Sequence, residues 1–237
     1  MAVKNLSPSS TSRSHQLLLL LCLAVSRHVP RARSLSFSYS AFNPDDFKPE
    51  ADARVKDGRL ELLGDEFAAR ARGRAWHKQP MQLWDGATGK SAIFAANFTF
   101  SIQSVPAGKG APGVGHGMTF FLAPYTPDLP QESYDGCLGL FDESQKDSYA
   151  TVMYDNGTRR LDVALIVGSD TYTAAATVDL PSLLPEHVAV GFSAATGDAY
   201  ASNHTVLSFS FLSTLPTKNS TSLSHCLLPP PPPIREP

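Results

Sequence analysis

Three spacings of residues in this chain could carry chemistry. Gly108-Lys109-Gly110-Ala111-Pro112-Gly113 has the G-x-G-x-x-G spacing with which backbone amides cradle a phosphate at the start of a helix. The segment that follows, Met118-Thr119-Phe120-Phe121, reads as a strand, so the helix that such a site needs is absent and no nucleotide site is expected. Asp142, Glu143 and Asp147 are close enough in sequence to ligate a hard cation or to act as a carboxylate pair, but an acidic surface loop is the commoner origin of such a run. A serine nucleophile needs an elbow such as G-x-S-x-G, and Gly191-Phe192-Ser193-Ala194-Ala195 fails at its last position. No histidine pair has metalloprotease spacing, so the chain is read as a non-enzyme.

The remaining chemistry is that of secretion. The apolar run Leu17–Val25 follows Lys4 and Arg13 and is too short for a bilayer, which takes roughly 20 residues, so residues 1–34 are read as a secretory signal peptide with cleavage after Ser26 or Ser34. Four sequons beyond the leader, at Asn97, Asn156, Asn203 and Asn219, fit entry into that pathway. Cys22 leaves with the leader; Cys137 and Cys226 permit one disulfide but no framework, so the core must be self-supporting. The leader holds five basic and no acidic residues, which makes the rest more acidic than the whole chain's formal charge of −2. Without a basic excess, nucleic-acid binding is not expected.

The elements available to position these residues are strands. Phe98, Phe100 and Ile102 alternate with Asn97, Thr99 and Ser101, which predicts a strand whose second face, with a glycan on Asn97, meets solvent. Leu161, Val163, Leu165 and Val167 predict another after the turn Asp155-Asn156-Gly157, and Val188–Ser193 and Val206–Phe211 predict two more. Only Leu180-Pro181-Ser182-Leu183-Leu184-Pro185 suggests a helical turn, and its prolines limit its length. Antiparallel sheets packed face to face bury such faces best. From Leu215 to Pro237 serine, threonine and the proline run Pro229–Pro233 give a disordered Pro-rich tail, so the folded domain is expected over residues 35–214.

Six blocks within that domain carry a resemblance. They are Ser36–Phe42, Gly73–Asp85, Phe94–Ile102, Gly115-His116-Gly117-Met118-Thr119-Phe120-Phe121-Leu122-Ala123-Pro124, Gly136-Cys137-Leu138-Gly139-Leu140-Phe141, and Leu184–Gly197. In this order they resemble a legume-type lectin domain, closest to the ectodomain of plant lectin receptor kinases. The resemblance implies an all-β jelly-roll sandwich, outside the cell, that binds a glycan or glycoprotein through loops at one end of a curved sheet. No membrane span or kinase follows, so an ectodomain-like secreted form is expected. Carried over by position, the sugar site would comprise His116, Gly136, Gly197, Asp198 and Ala199. Tyr200 and Trp84 are aromatic candidates for stacking, though an aromatic in a sandwich more often belongs to the core.

Two departures qualify the implied function. Where the family carries an aspartate this chain has His116, and a neutral imidazole offers one acceptor and one donor where a carboxylate can accept two hydroxyl protons. After Phe141 the chain reaches Tyr154-Asp155 in about a dozen residues, so that roughly forty, or several strands of the usual 5–6, are missing together with the family's calcium and manganese loop. The domain is therefore expected to lack several central strands, with part of its apolar face uncovered, and to have no metal cofactor. Metal-dependent sugar binding would be weakened or lost. The alternatives are a protein-binding defence or enzyme-inhibitor protein on the same scaffold, or a non-functional truncated receptor-kinase ectodomain. A second copy of the chain is a further partner in reach.

Overall fold

The computed structural model describes residues 35–64, 71–105, 117–125, 127, 147–196 and 201–215. Their strands are β1 (Ser36–Tyr39), β2 (Phe47–Ala51), β3 (Arg54–Lys56), β4 (Arg59–Leu63), β5 (Arg72–His77), β6 (Met81–Gln82), β7 (Trp84–Asp85), β8 (Lys90–Ser91), β9 (Ile93–Val105), β10 (Met118–Pro124), β11 (Ser148–Asp155), β12 (Arg160–Val167), β13 (Asp170–Thr177), β14 (His187–Ala195) and β15 (Ala201–Thr214). One short helix, α1 (Leu180–Leu183), interrupts them with Pro181 in its first turn. The large sheet has the order β13-β12-β11-β9-β15-β4-β3, with β1 also on β15. The small sheet has the order β10-β14-β5-β2, with β6 also on β14, and β7-β8 form a separate ribbon. The all-β sandwich expected from the period-two runs is present, and the predicted strands at 97–102, 160–167, 188–193 and 206–211 fall inside β9, β12, β14 and β15.

Alternation puts the core between the sheets. Phe94, Ala96, Phe98, Phe100 and Ile102 of β9 are all buried on one face. Phe98 meets Phe192 of β14 edge-on at 4.9 Å and stacks on Phe120 of β10 at 5.8 Å, while Phe192 meets Phe209 of β15 at 4.8 Å. Both separations and angles suit the ring quadrupole. In β15 the register against β9 shifts between Val206 and Ser208. That extra residue changes the parity, so His204 and Val206 before it and Phe209 and Phe211 after it are all buried.

The second face of β9 differs from expectation. Asn97 stands opposite Thr151 of β11 and accepts its hydroxyl at 2.9 Å through Oδ1. With Ser101 it is buried, Asn97 being 7% exposed, so the open Asn97 that alternation predicts is not what the cross-strand pairing produces. Asn156 also uses its side chain, donating from Nδ2 to the Ser91 carbonyl. Ahead of it Asp155 accepts both the backbone N–H and the hydroxyl of Thr158, and these bonds hold its carboxyl below the usual carboxylate range.

The sandwich is shut on one side and open on the other. At the shut side only Asp52 and Ala53 separate β2 of the small sheet from β3 of the large one, and β5 lies against β4. A Cβ on Gly73 would come within 1.8 Å of the Leu62 carbonyl oxygen, so no other residue fits there without parting the sheets. At the open side β10 covers β9, and among the described residues no small-sheet strand lies beyond it. The inward side chains of β11 and β12 there line a cavity of about 620 Å³, with Val152, Leu161, Val163 and Leu165 on one wall and Phe120 and Leu122 on the other. This is where the shortened segment after Phe141 leads the sequence reading to expect an uncovered apolar face. Gly73→Ala is expected to destabilise the domain by at least about 2 kcal/mol through overpacking, read as a lowered urea midpoint at unchanged slope.

Candidate functional site

The small sheet positions the predicted binding end. Met118 pairs with Ala194, so the start of β10 and the end of β14 lie side by side. His116 precedes the first of these ends by two residues, and Gly197, Asp198 and Ala199 follow the second. These four residues, with Gly136, Tyr200 and the sequon Asn219, lie outside the described residues. The described residue next to Gly197 in sequence is Thr196, which is 1% exposed. Its N–H donates to the Ala71 carbonyl at 2.8 Å, and its Oγ1 accepts the Ala71 N–H at 3.0 Å. This reciprocal pair ties the exit of β14 to the strand entering β5. Of the other sequons, Asn203 stands half-buried in β15 opposite Gln103.

Trp84, one candidate for stacking on a sugar, is instead part of the framework. Its indole N–H donates to the Leu184 carbonyl at 3.0 Å, and its ring packs against the core. The outer face of the small sheet carries a group that the sequence reading did not single out. Arg74, buried, donates from Nη2 to the Pro127 carbonyl at 3.2 Å, lies 3.6 Å from Glu50, and holds its guanidinium 5.6 Å over Trp76 and 5.7 Å over Phe121. Lys48 stands 5.0 Å over the same Trp76 ring. Alternate positions on neighbouring strands carry these side chains, and the signal in the sequence was an Arg-x-Trp in a strand-like run, a common pattern.

Two titratable groups near β1 and β5 are shifted by burial. The Tyr39 hydroxyl lies 3.2 Å from Nε2 of His77, whose ring stacks on Phe37 at 4.3 Å. Burial, with Asp46 adding to it, pushes the Tyr39 phenol up to about 12, and burial pushes the His77 imidazole down. Both are therefore held neutral in the fold. The Asp46 carboxylate, a hydrogen-bond partner of the Tyr39 phenol, completes this group.

Among the described residues no three of His, Cys, Asp and Glu come together where they could hold a metal ion. Asp147 is exposed, and Asp155 spends its lone pairs on its own turn. Asp142 and Glu143 lie outside the described residues.

An all-β sandwich with unequal sheets, whose β10 and β14 ends adjoin, is the frame that the resemblance implied. A model of the legume lectin domain matches residues 34–151 and 143–226. The chain belongs to the legume lectin family. It is 33% identical to a lectin-related protein of Cladrastis kentukea, over 79% of this chain and 82% of that one. It is 32% identical to the anti-H(O) lectin of Lotus tetragonolobus, over 76% of this chain and 97% of that one. Among solved structures it resembles the lectin UEA-II complexed with galactose, with a TM-score of 0.66, 28% identity and coverage of 76% of this chain and 99% of the other. The alignment with the Cladrastis protein runs over 243 positions, more than the chain's 237 residues, so that protein has residues this lectin-family chain lacks.

Two outcomes follow from these contacts. Thr196→Val keeps the shape but removes the acceptor for a buried N–H, and is expected to cost about 1–2 kcal/mol in urea unfolding. For His77, whose folded value lies below 6.5, the unfolded chain takes up the proton first, so its contribution to stability is full above about pH 6.5 and is lost as the pH falls below it. Urea midpoints followed from pH 8 to 5 are expected to fall on this limb, and His77→Gln to flatten it.

Proposed function

We propose that this chain is a secreted carbohydrate-binding lectin whose metal-dependent hold on sugar is weakened, and which engages glycans through His116, Gly136 and the loop Gly197–Ala199. The observation that carries this reading is the register Met118↔Ala194, because it adjoins the ends of the two strands whose loops bear four of those five residues. Support comes from the family match and from the galactose complex of a similar lectin. The Thr196–Ala71 pair fixes the exit of β14 by bonds made within the chain, with no cation required.

The weakened metal dependence rests on three points. The family binds calcium and manganese, but the described carboxylates do not fit a metal site. The family match falls into two pieces that meet at residues 143–151, where the shortening after Phe141 is expected to remove the metal loop. His116 replaces the carboxylate that would accept two sugar hydroxyls, so any remaining hold combines one imidazole acceptor or donor with backbone amides. Secretion and a glycan on the sequons belong to the same reading; among the described residues no helix is long and apolar enough to cross a membrane.

Calorimetry separates the parts of this proposal. The full-length chain titrated with calcium is expected to give no isotherm, and titration with galactose and other monosaccharides to give weak binding that a chelator leaves unchanged. Binding abolished by chelator would overturn the weakened-metal reading. A cooperatively melting protein that binds no glycan on an array would overturn the carbohydrate reading itself and favour protein binding on the same scaffold.

A further inference from the structure

The open side of the sandwich joins an apolar cavity to a sheet edge that no strand pairs among the described residues. Tyr125, next to β10, donates its N–H to the His187 carbonyl at 3.3 Å. With the register Ala123↔Ala189, Phe121↔Gly191 and Thr119↔Ser193, this makes the odd-numbered residues of β10 those that exchange hydrogen bonds with β14. Met118, Phe120 and Leu122 then point N–H and C=O the other way, where among the described residues no strand receives them. The side chains of the same three residues line the cavity, facing Val152, Val163 and Leu165 across it. Backbone donors and acceptors thus run along the rim of an apolar slot.

We propose that this rim is a strand-addition site, which takes an extended peptide segment of a partner protein with an apolar residue at every second position. β10 lies over β9, so a strand added at the usual spacing of about 4.8 Å lies over β11, and its inward side chains fall into the cavity. A volume of about 620 Å³ holds several aliphatic side chains. The lining residues carry no charge, so the inserted positions are uncharged. A small apolar molecule would fill the slot but leave the edge of β10 unpaired. A second copy pairing through β10 would complete the edge but leave both slots empty, because each β10 already turns its own side chains inward. An extended segment satisfies both at once.

The site is made of inner sheet faces and one edge and shares only Met118 with the strand ends that carry the carbohydrate reading; titration with and without galactose lets the two fail independently. The full-length chain is titrated, with and without saturating galactose, with an acetylated nonapeptide of alternating valine and threonine and with the same peptide N-methylated throughout, which keeps the side chains but removes every backbone donor. The expected result is saturable binding indifferent to galactose, weakened at least about tenfold by N-methylation, with slowed hydrogen exchange at the amides of Met118, Phe120 and Leu122. Val163→Asp, which sets a carboxylate in the cavity, is expected to abolish it; the comparison of the two peptides on the unaltered chain stands if that variant does not fold. Equal binding of both peptides, or no binding, overturns the proposal. So does uptake of an apolar dye without amide protection, which would assign the slot to a small molecule, or self-association that protects those amides without peptide, which would assign it to a second copy.

Discussion

The structure hangs on the ring of Phe98. Like Phe209 of β15 beside it at 6.4 Å, it is a large-sheet residue that touches two strands of the small sheet, meeting Phe192 of β14 at 4.9 Å and Phe120 of β10 at 5.8 Å. Face-to-face sheets share no backbone hydrogen-bond ladder, so their separation and angle are set by side chains of this kind, and burial of four large rings in one cluster supplies more than any single polar contact in the molecule. Given that contact, the alternation along β9, β14 and β15 determines the rest of the core: what lies two residues from Phe98 must also be inside, and Ala96 and Phe100 are.

The imbalance between the sheets follows from the same geometry. Eight strands cannot be covered by five, and the shut side, where Gly73 lies against Leu62, leaves no freedom to slide the small sheet across. All the uncovered width therefore collects at one place, over β11 and β12. Their inward residues Leu161 and Val163 are half-buried where the equivalent positions of β9 are buried. The sandwich thus holds beside a slot whose wall is made of core-type side chains and whose rim, among the described residues, is a strand edge. Such edges are ordinarily protected or paired, because their backbone groups recruit any extended chain within reach.

The elements legible in the sequence are those with one face in the core. β12 reads at its full extent because Leu161, Val163 and Leu165 repeat at period two, and α1 reads because prolines bracket a short apolar turn. β13 does not, since Asp170–Thr177 is exposed on both faces, and its Ala174-Ala175-Ala176 has no alternation; it is a strand because every residue pairs with β12. The extra residue in β15 is illegible for a related reason. It exists to reconcile two buried pairs of opposite parity, Val206 with His204 and Phe209 with Phe211, and only the partner strand reveals the conflict. Asn97 shows the reverse error: alternation placed it correctly on the second face, but whether that face is open depends on Thr151, 54 positions away.

The binding end was legible only through family resemblance, because the residues that place it are far apart in sequence. Ala71 and Thr196 are 125 positions apart, and only Thr196 falls in one of the family-like blocks, yet their reciprocal hydrogen bonds set where β14 stops. These bonds are buried and made between backbone and hydroxyl, so they do not weaken when a cation is withdrawn. Loss of metal and loss of the loop's starting point are therefore separate events in this scaffold. On the proposed reading, the chain gives up the cation but keeps the strand end from which Gly197–Ala199 follow, so that an imidazole and backbone amides replace an ion-organised hold on sugar.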